Sequence, residues 1–149
     1  MSDSILRYVP TDPFFTPAVD DATAAIAVLR SIAPNAEQIS HIFEEKVVFY
    51  NPGENWLGVK CSSCGADAEP WWDDAMNAAF ATDFENLDVA AGCCGAHLSL
   101  NNLRYVWPAA FGRFALEVLN PYVPDTTEEQ DLQVARSLGT SLRKIWVRL

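Results

Sequence analysis

The sequence contains no long apolar run. Hydrophobic residues make up 50% of the chain, but no stretch reaches the roughly 18 to 20 consecutive apolar residues of a membrane-spanning helix. Residues 1–4 are acidic and do not show the basic and then apolar pattern of a signal peptide. We therefore expect a cytoplasmic protein that does not have a membrane as its partner.

Basic residues are also scarce. The chain has 10 Lys and Arg against 20 Asp and Glu, which gives a net charge of −10. One stretch, residues 67–88 and here called the acidic segment, has no basic residue. It contains Asp67, Glu69, Asp73, Asp74, Asp83, Glu85 and Asp88. Such a surface repels phosphate backbones and anionic lipids, which disfavours nucleic acid as a partner and permits a basic protein surface.

The motifs of several common enzyme classes are missing. The sequence has no glycine-rich phosphate loop, no G-x-S-x-G elbow, no H-E-x-x-H zinc-protease motif and no deaminase signature. We also find no internal repeat. With 149 residues, half of them apolar, the composition predicts one packed domain spanning 1–149.

Apolar periodicity and turn residues predict alternating helices and strands. Thr16 and Pro17 are typical of a helix start, and Thr126 with Glu129 matches a capping box for a later helix. A further helix is predicted at 71–81. Strands are predicted at 5–9, 39–50, 56–60, 87–91, 98–106, 111–119 and 142–149, with a helix as the alternative at 111–119.

This order of elements predicts an α+β fold, in which helices cover one mainly antiparallel sheet. A ferredoxin-like arrangement is the simplest named candidate. The turn residues at 51–55 predict that the strands before and after them form a hairpin. Residues 61–97 are expected to form a zinc-knuckle segment inserted into this fold.

The strongest chemical signal is the grouping of all four cysteines into two clusters. Residues 61–65 have the sequence CSSCG, and residues 93–97 have the sequence CCGAH. Pairing C-x2-C with C-x2-H supplies the four soft or borderline ligands of a tetrahedral zinc site. The predicted ligands are Cys61, Cys64, Cys94 and His97.

Two details qualify this ligand set. Cys93 is a possible substitute for Cys94, because adjacent cysteines rarely bind one metal together. Three cysteines and a histidine would also fill the coordination shell, whereas catalytic zinc keeps an open position for water. The expected cofactor is therefore a structural zinc ion.

The cysteines have other interpretations. They could be buried, reduced thiols that act as small apolar residues. Cys61 and Cys64 could form a redox dithiol, although a loop rather than a helix follows them. Cys93 or Cys94 could be a nucleophile with His97 as its base. The last two interpretations make the protein a cysteine-dependent enzyme.

The acidic segment carries two adjacent tryptophans, Trp71 and Trp72, followed by Asp73 and Asp74. Neighbouring residues on a helix point about 100° apart, so both indoles cannot easily be buried together. One could shield the metal site, and the other could anchor a partner. We therefore expect a small zinc-binding protein that acts by protein–protein interaction through this segment.

Overall fold

The computed structural model describes residues 3–149. Three helices are present among them, α1 (Val19–Ile32), α2 (Glu69–Phe80) and α3 (Glu128–Leu138). The strands are β1 (Ser4–Pro10), β2 (Gln38–Tyr50), β3 (Val59–Lys60), β4 (Asp88–Ala90), β5 (His97–Ser99), β6 (Arg104–Tyr105), β7 (Ala110–Leu119) and β8 (Leu142–Arg148).

The main sheet has four strands in the order β2-β7-β1-β8. Every neighbouring pair is antiparallel, with Tyr8 of β1 opposite both Leu116 of β7 and Lys144 of β8. Helices α1 and α3 belong to the connections between these strands. The predicted α+β class with a mainly antiparallel sheet is therefore confirmed, and 111–119 is a strand.

Helices α1 and α3 cover one face of this sheet. Ala22, Ala25 and Leu29 recur at helical spacing on α1 and are fully buried, and α3 buries Val134 and Leu138. They pack on alternate residues of the strands, because side chains on one face of a strand recur every two positions. No helix in residues 3–149 is both long and apolar enough to cross a membrane.

The residues that follow β2 bond to the opposite edge of the main sheet. After β2 the chain crosses to the free edge of β8, where Gly53 forms a parallel bridge with Arg148. The Arg148 amide donates to Pro52 and its carbonyl accepts from Glu54. The hairpin predicted between 39–50 and 56–60 is therefore wrong, because these backbone bonds carry residues 52–54 to β8 instead.

Residues 51–109, between β2 and β7, form what we call the insertion. It contains two separate two-stranded sheets, β3-β6 and β4-β5, together with α2. A second apolar core lies here, built on Val59, Leu100 and Phe111, and Phe111 belongs to β7 of the main sheet. The insertion is thus joined to the main sheet through shared core residues.

Two predicted helix starts are misplaced. Helix α1 begins at Val19, with Ala18 rather than Thr16 at its N-cap, and has no side-chain cap. The capping box of α3 uses Thr127 and Gln130, one residue beyond the predicted pair. Thr126 is buried instead, where it bonds to Asp131, so tertiary contacts decide between two adjacent threonines.

Candidate metal centre

The first cysteine cluster forms a tight turn directly after β3, here called the first knuckle (residues 61–66). The amide of Cys61 donates to the carbonyl of Ala66 at 2.8 Å, and the amide of Gly65 donates to the carbonyl of Cys61 at 2.9 Å. Gly65 has a φ of +79°, a conformation in which a Cβ would be strained. The turn therefore needs glycine directly after Cys64.

The second cluster forms the same turn after β4, here called the second knuckle (residues 91–96). The amide of Ala91 donates to Ala96 at 2.9 Å, and the amide of Gly95 donates to Ala91 at 2.7 Å. Gly95 has a φ of +74°. The two knuckles therefore match residue for residue, with Ala91 in the place of Cys61 and Cys94 in the place of Cys64.

The two knuckles bring four sulfur atoms together. The Sγ atoms of Cys61, Cys64, Cys93 and Cys94 all lie within 4.8 Å of one another. Two of the separations are 3.8 Å, between Cys61 and Cys94, and 3.4 Å, between Cys64 and Cys93. Four thiolates at the usual zinc–sulfur distance would be about 3.8 Å apart at the corners of a tetrahedron. The group therefore has the dimensions of a site for one metal ion.

The structure places the predicted ligands differently from the sequence-based set. Cys93 and Cys94 both join Cys61 and Cys64, whereas His97 is exposed on β5 and is not a member of the group. The C-x2-H interpretation places Cys94 at the start of a knuckle. Because Cys94 is instead the last cysteine of its turn, His97 lies beyond the turn and pairs with Ala90 in the β4-β5 ladder.

A signal for this arrangement is present in the sequence. Residues 61–66 read CSSCGA and residues 91–96 read AGCCGA, so both end in Cys-Gly-Ala. Aligning the clusters on this shared ending assigns Cys94 to the position of Cys64. The second knuckle then lacks a cysteine at its first position, and Cys93, at the third position, supplies the sulfur.

The local environment shifts the pKa values of Cys61 and Cys93 in opposite directions. Backbone amides of Cys64 and Ser63 donate to the Cys61 sulfur and lower the pKa of this fully buried thiol to about 6. Desolvation and the neighbouring thiols raise the pKa of Cys93 to about 12. Of these two thiols, Cys61 therefore favours the thiolate form more strongly.

Trp71 packs against the second knuckle. A Cβ atom at Gly92 would lie 2.8 Å from the Trp71 ring, so only glycine leaves room for the indole. The indole offsets part of the rise in the Cys93 pKa that desolvation and the other thiols cause. Its N–H is buried and has no hydrogen-bond partner in residues 3–149. Trp71 therefore packs against the second knuckle next to Cys93, while Cys64, Cys93 and Cys94 remain exposed.

We expect Gly92→Ala to destabilise the protein by about 1–3 kcal/mol, because the new methyl group overpacks the Trp71 ring. Denaturant unfolding measures this loss. Ser62→Ala is the matched control, since Ser62 occupies the equivalent position of the first knuckle and is exposed. Equal unfolding midpoints for the two variants would show that Trp71 does not constrain the second knuckle.

The four residues expected at an interface divide into two groups. Trp72 is half-buried, lies against Phe49 and Trp56, and donates to the Tyr105 hydroxyl at 3.3 Å. Trp71 is also half-buried, whereas Asp73 and Asp74 are exposed. Both indoles are accommodated because α2 has two neighbours. Trp71 packs against the second knuckle, and Trp72 packs against the aromatic cluster, which consists of Phe49, Trp56 and Tyr105.

One exposed apolar residue of α2 has no counterpart among the interface residues predicted from the sequence. The Phe80 side chain is 67% exposed at the end of α2. It follows Asp73 by seven residues and therefore lies on the same helical face. A phenylalanine at helical spacing predicts burial, so the sequence contains no signal for its exposure.

No protein-family model, no curated protein and no solved structure matches the chain.

Proposed function

We propose that this protein binds one zinc ion through Cys61, Cys64, Cys93 and Cys94 as a structural clamp. The observation that carries the proposal is the approach of all four sulfurs to within 4.8 Å of one another. Tetrahedral sites with sulfur ligands are typical of zinc or of iron–sulfur centres. The two glycine-terminated knuckles and their sulfur spacing favour a single zinc ion.

A structural role fits this donor set better than a catalytic one. Four thiolates complete a tetrahedral shell, whereas catalytic zinc uses three protein ligands and a water molecule. The thiol that most favours its thiolate form, Cys61, is fully buried and cannot meet a substrate. Among residues 3–149 no hydrogen bond joins His97 to Cys93 or Cys94, so the nucleophile–base alternative has less support.

We further propose that the main sheet is ferredoxin-like and that the knuckles belong to an insertion in it. Numbered by their order within the main sheet, its strands lie in the order 2-3-1-4, with one helix between the first two and one between the last two. This alternation of β-α-β units supports the assignment. The insertion then replaces the short turn between the second and third strands.

The acidic segment is the surface that we propose for contact with a basic protein. All seven of its acids are exposed, and only Asp83 forms an ion pair in the described part of the chain, with Lys46 at 3.3 Å. Phe80 supplies an exposed apolar residue about two helical turns beyond Asp73. Free cysteines and a zinc–thiolate site also fit the reducing cytoplasm, which is the location we propose.

Metal analysis of the purified protein tests the clamp. We expect about one zinc per chain in the wild-type protein, loss of zinc in Cys93→Ser, and full retention in His97→Ala, because four sulfurs complete the shell. Elemental mass spectrometry measures the content, and the absorption of the cobalt-substituted protein reports the number of thiolate ligands. Loss in His97→Ala with retention in Cys93→Ser would restore the C-x2-H ligand set. Absence of metal from wild-type protein would reject the clamp.

A charge-matched comparison tests the contact surface. The double variant Asp73→Asn, Asp74→Asn should weaken binding to a lysine-rich probe peptide, with a reduced dependence on salt. Asp20→Asn with Asp21→Asn removes the same charge from exposed residues of α1 and serves as the control. Equal losses in the two double variants would show a general effect of net charge and exclude a specific surface on α2.

A further inference from the structure

A cavity of about 310 Å³ lies between the insertion and the main sheet. Residues 102–105 and Pro108–Ala109 form its walls on the insertion side, and Arg143 of β8 lines it from the sheet. Arg104 and Arg143 are both among its lining residues, and no Asp or Glu is. This concentration of positive charge is unexpected in a protein whose net charge is −10.

Arg143 is held in place entirely by neutral acceptors. Its Nη1 donates to the carbonyl oxygens of Asn101 at 2.7 Å and Ala109 at 3.0 Å, and to the side-chain oxygen of Asn101 at 3.1 Å. No salt bridge reaches Arg143 from residues 3–149. Burial lowers the pKa of its guanidinium, and the neighbouring Tyr105 opposes part of this shift. Arg143 is half-buried and has no ion-pair partner among residues 3–149, so a bound anion would supply the missing counter-charge.

The remaining donors of Arg143 are free to bind that complement. Only Nη1 is engaged by the protein, so Nε and Nη2 have no hydrogen-bond acceptor among the described residues. These two atoms form the edge of the guanidinium that binds two oxygens of a phosphate or carboxylate at once. The Asn101 and Ala109 contacts keep the group from rotating, so that it is preorganised for such a ligand.

Arg104 adds a second cation at the same cavity. It is exposed, and no ion pair of the described chain includes it. Tyr105, the next residue, bonds through its hydroxyl to the Leu100 carbonyl at 2.7 Å, which steadies the backbone beside Arg104. Two guanidinium groups without an acidic neighbour match a ligand with two negative charges.

We propose that this cavity binds a small dianionic oxyanion, of the class of inorganic phosphate and phosphate monoesters. The cavity volume exceeds that of a phosphate group, and Leu103, Pro108 and Ala109 offer an apolar wall for an attached organic part. A purely structural role for Arg143, which joins the sheet to the insertion, accounts for its Nη1 bonds. Such a role explains neither the unbonded Nε and Nη2 atoms of Arg143 nor the presence of a second arginine, Arg104, at the same cavity. The proposal does not depend on the zinc site.

Titration of the purified protein with inorganic phosphate tests this site, with sodium chloride of equal ionic strength as the reference. We expect saturable shifts of the Arg143 side-chain and Ala109 amide NMR signals and a rise in the unfolding temperature. Phenyl phosphate should bind more tightly than inorganic phosphate if the apolar wall takes part, and equally if the ligand is the free ion. Acetate, with one charge, should bind at least about tenfold more weakly.

Two variants make the result specific. Arg104→Gln should weaken phosphate binding about tenfold or more, because it removes one of two charge-assisted contacts. Arg104→Glu should abolish binding, since it replaces a cation of the cavity lining with an anion. Arg30→Gln, at an exposed position on α1, should bind phosphate as the wild-type protein does. The proposal would be overturned if phosphate and sodium chloride shifted the NMR signals of the wild-type protein equally. It would also be overturned if both Arg104 variants bound phosphate with unchanged affinity.

Discussion

Removal of the metal is expected to unfold the insertion while the main sheet remains folded. The strands of the insertion are only two or three residues long and form two-stranded sheets, which are not stable on their own. The knuckles begin directly where β3 and β4 end. In the proposed clamp, metal bonds between the knuckles would take the place of the long backbone ladders that hold β1, β2, β7 and β8 together.

The expected loss is large. Zinc contributes about 10–16 kcal/mol to the folding of zinc-finger peptides, which have almost no other core. The insertion also buries Val59, Leu100 and Phe111, so part of its stability does not depend on metal. We therefore expect chelation to remove at least about 3 kcal/mol, which lowers the unfolding temperature by roughly 10 °C.

Hydrogen exchange before and after treatment with a strong zinc chelator measures where this loss occurs. Amides of β3, β5 and β6 should lose protection, whereas amides of β1 and β7 should keep it. Cys64→Ser, already without metal, should show the exposed pattern from the start and should not respond to chelator. Uniform loss of protection across both regions would show that the metal stabilises the whole domain as one unit.

The sequence predicted those parts of the site that depend on local chemistry. The Cys-x-x-Cys turn followed by glycine is specified by a few adjacent residues, and the structure forms it as a knuckle after β3. The choice among Cys93, Cys94 and His97 depended on which residue starts the second knuckle. A knuckle that starts at Ala91 contains Cys93 and Cys94. A knuckle that starts at Cys94 would instead make His97 the fourth ligand.

The path of the chain after β2 likewise depends both on nearby turn residues and on contacts with a strand far away in the sequence. Residues 51–55 have a typical turn composition and do form a turn, with the Gly53 amide bonded to the Asn51 side chain at 2.8 Å. The direction of the chain after this turn is set by β8, about ninety residues later in the sequence, where Asn55 donates to the Trp146 carbonyl at 3.1 Å. A hairpin was the nearest pairing, but these distant contacts at the sheet edge decide the path.

The two tryptophans illustrate a limit of helical periodicity. Successive side chains on a helix point about 100° apart, which predicts that two adjacent residues cannot both face a single neighbour. Helix α2 has two neighbours, the second knuckle and the aromatic cluster around Phe49, so Trp71 and Trp72 each find a partner. Packing of a helix between two units cannot be read from the helix alone.

Phe111→Ala is expected to cost about 3–5 kcal/mol, because it deletes a fully buried ring and leaves a cavity. The ring lies 4.8 Å from the Phe49 ring and 5.2 Å from the Phe84 ring, between centroids. Phe111 and Phe49 belong to the main sheet, whereas Phe84 belongs to the insertion. The cavity would therefore open at the junction of the two regions, and denaturant unfolding measures its cost.

The matched control is Phe114→Ala, three residues further along β7. Phe114 is also fully buried, but it packs in the core beneath α1 and α3. Its loss should cost a similar free energy without changing the contact between sheet and insertion. If Phe111 couples the two regions, only Phe111→Ala should separate them into two unfolding transitions, of which the insertion's alone is shifted by chelator. A single chelator-sensitive transition in both variants would place the coupling elsewhere, in the Arg143 bonds to Asn101 and Ala109.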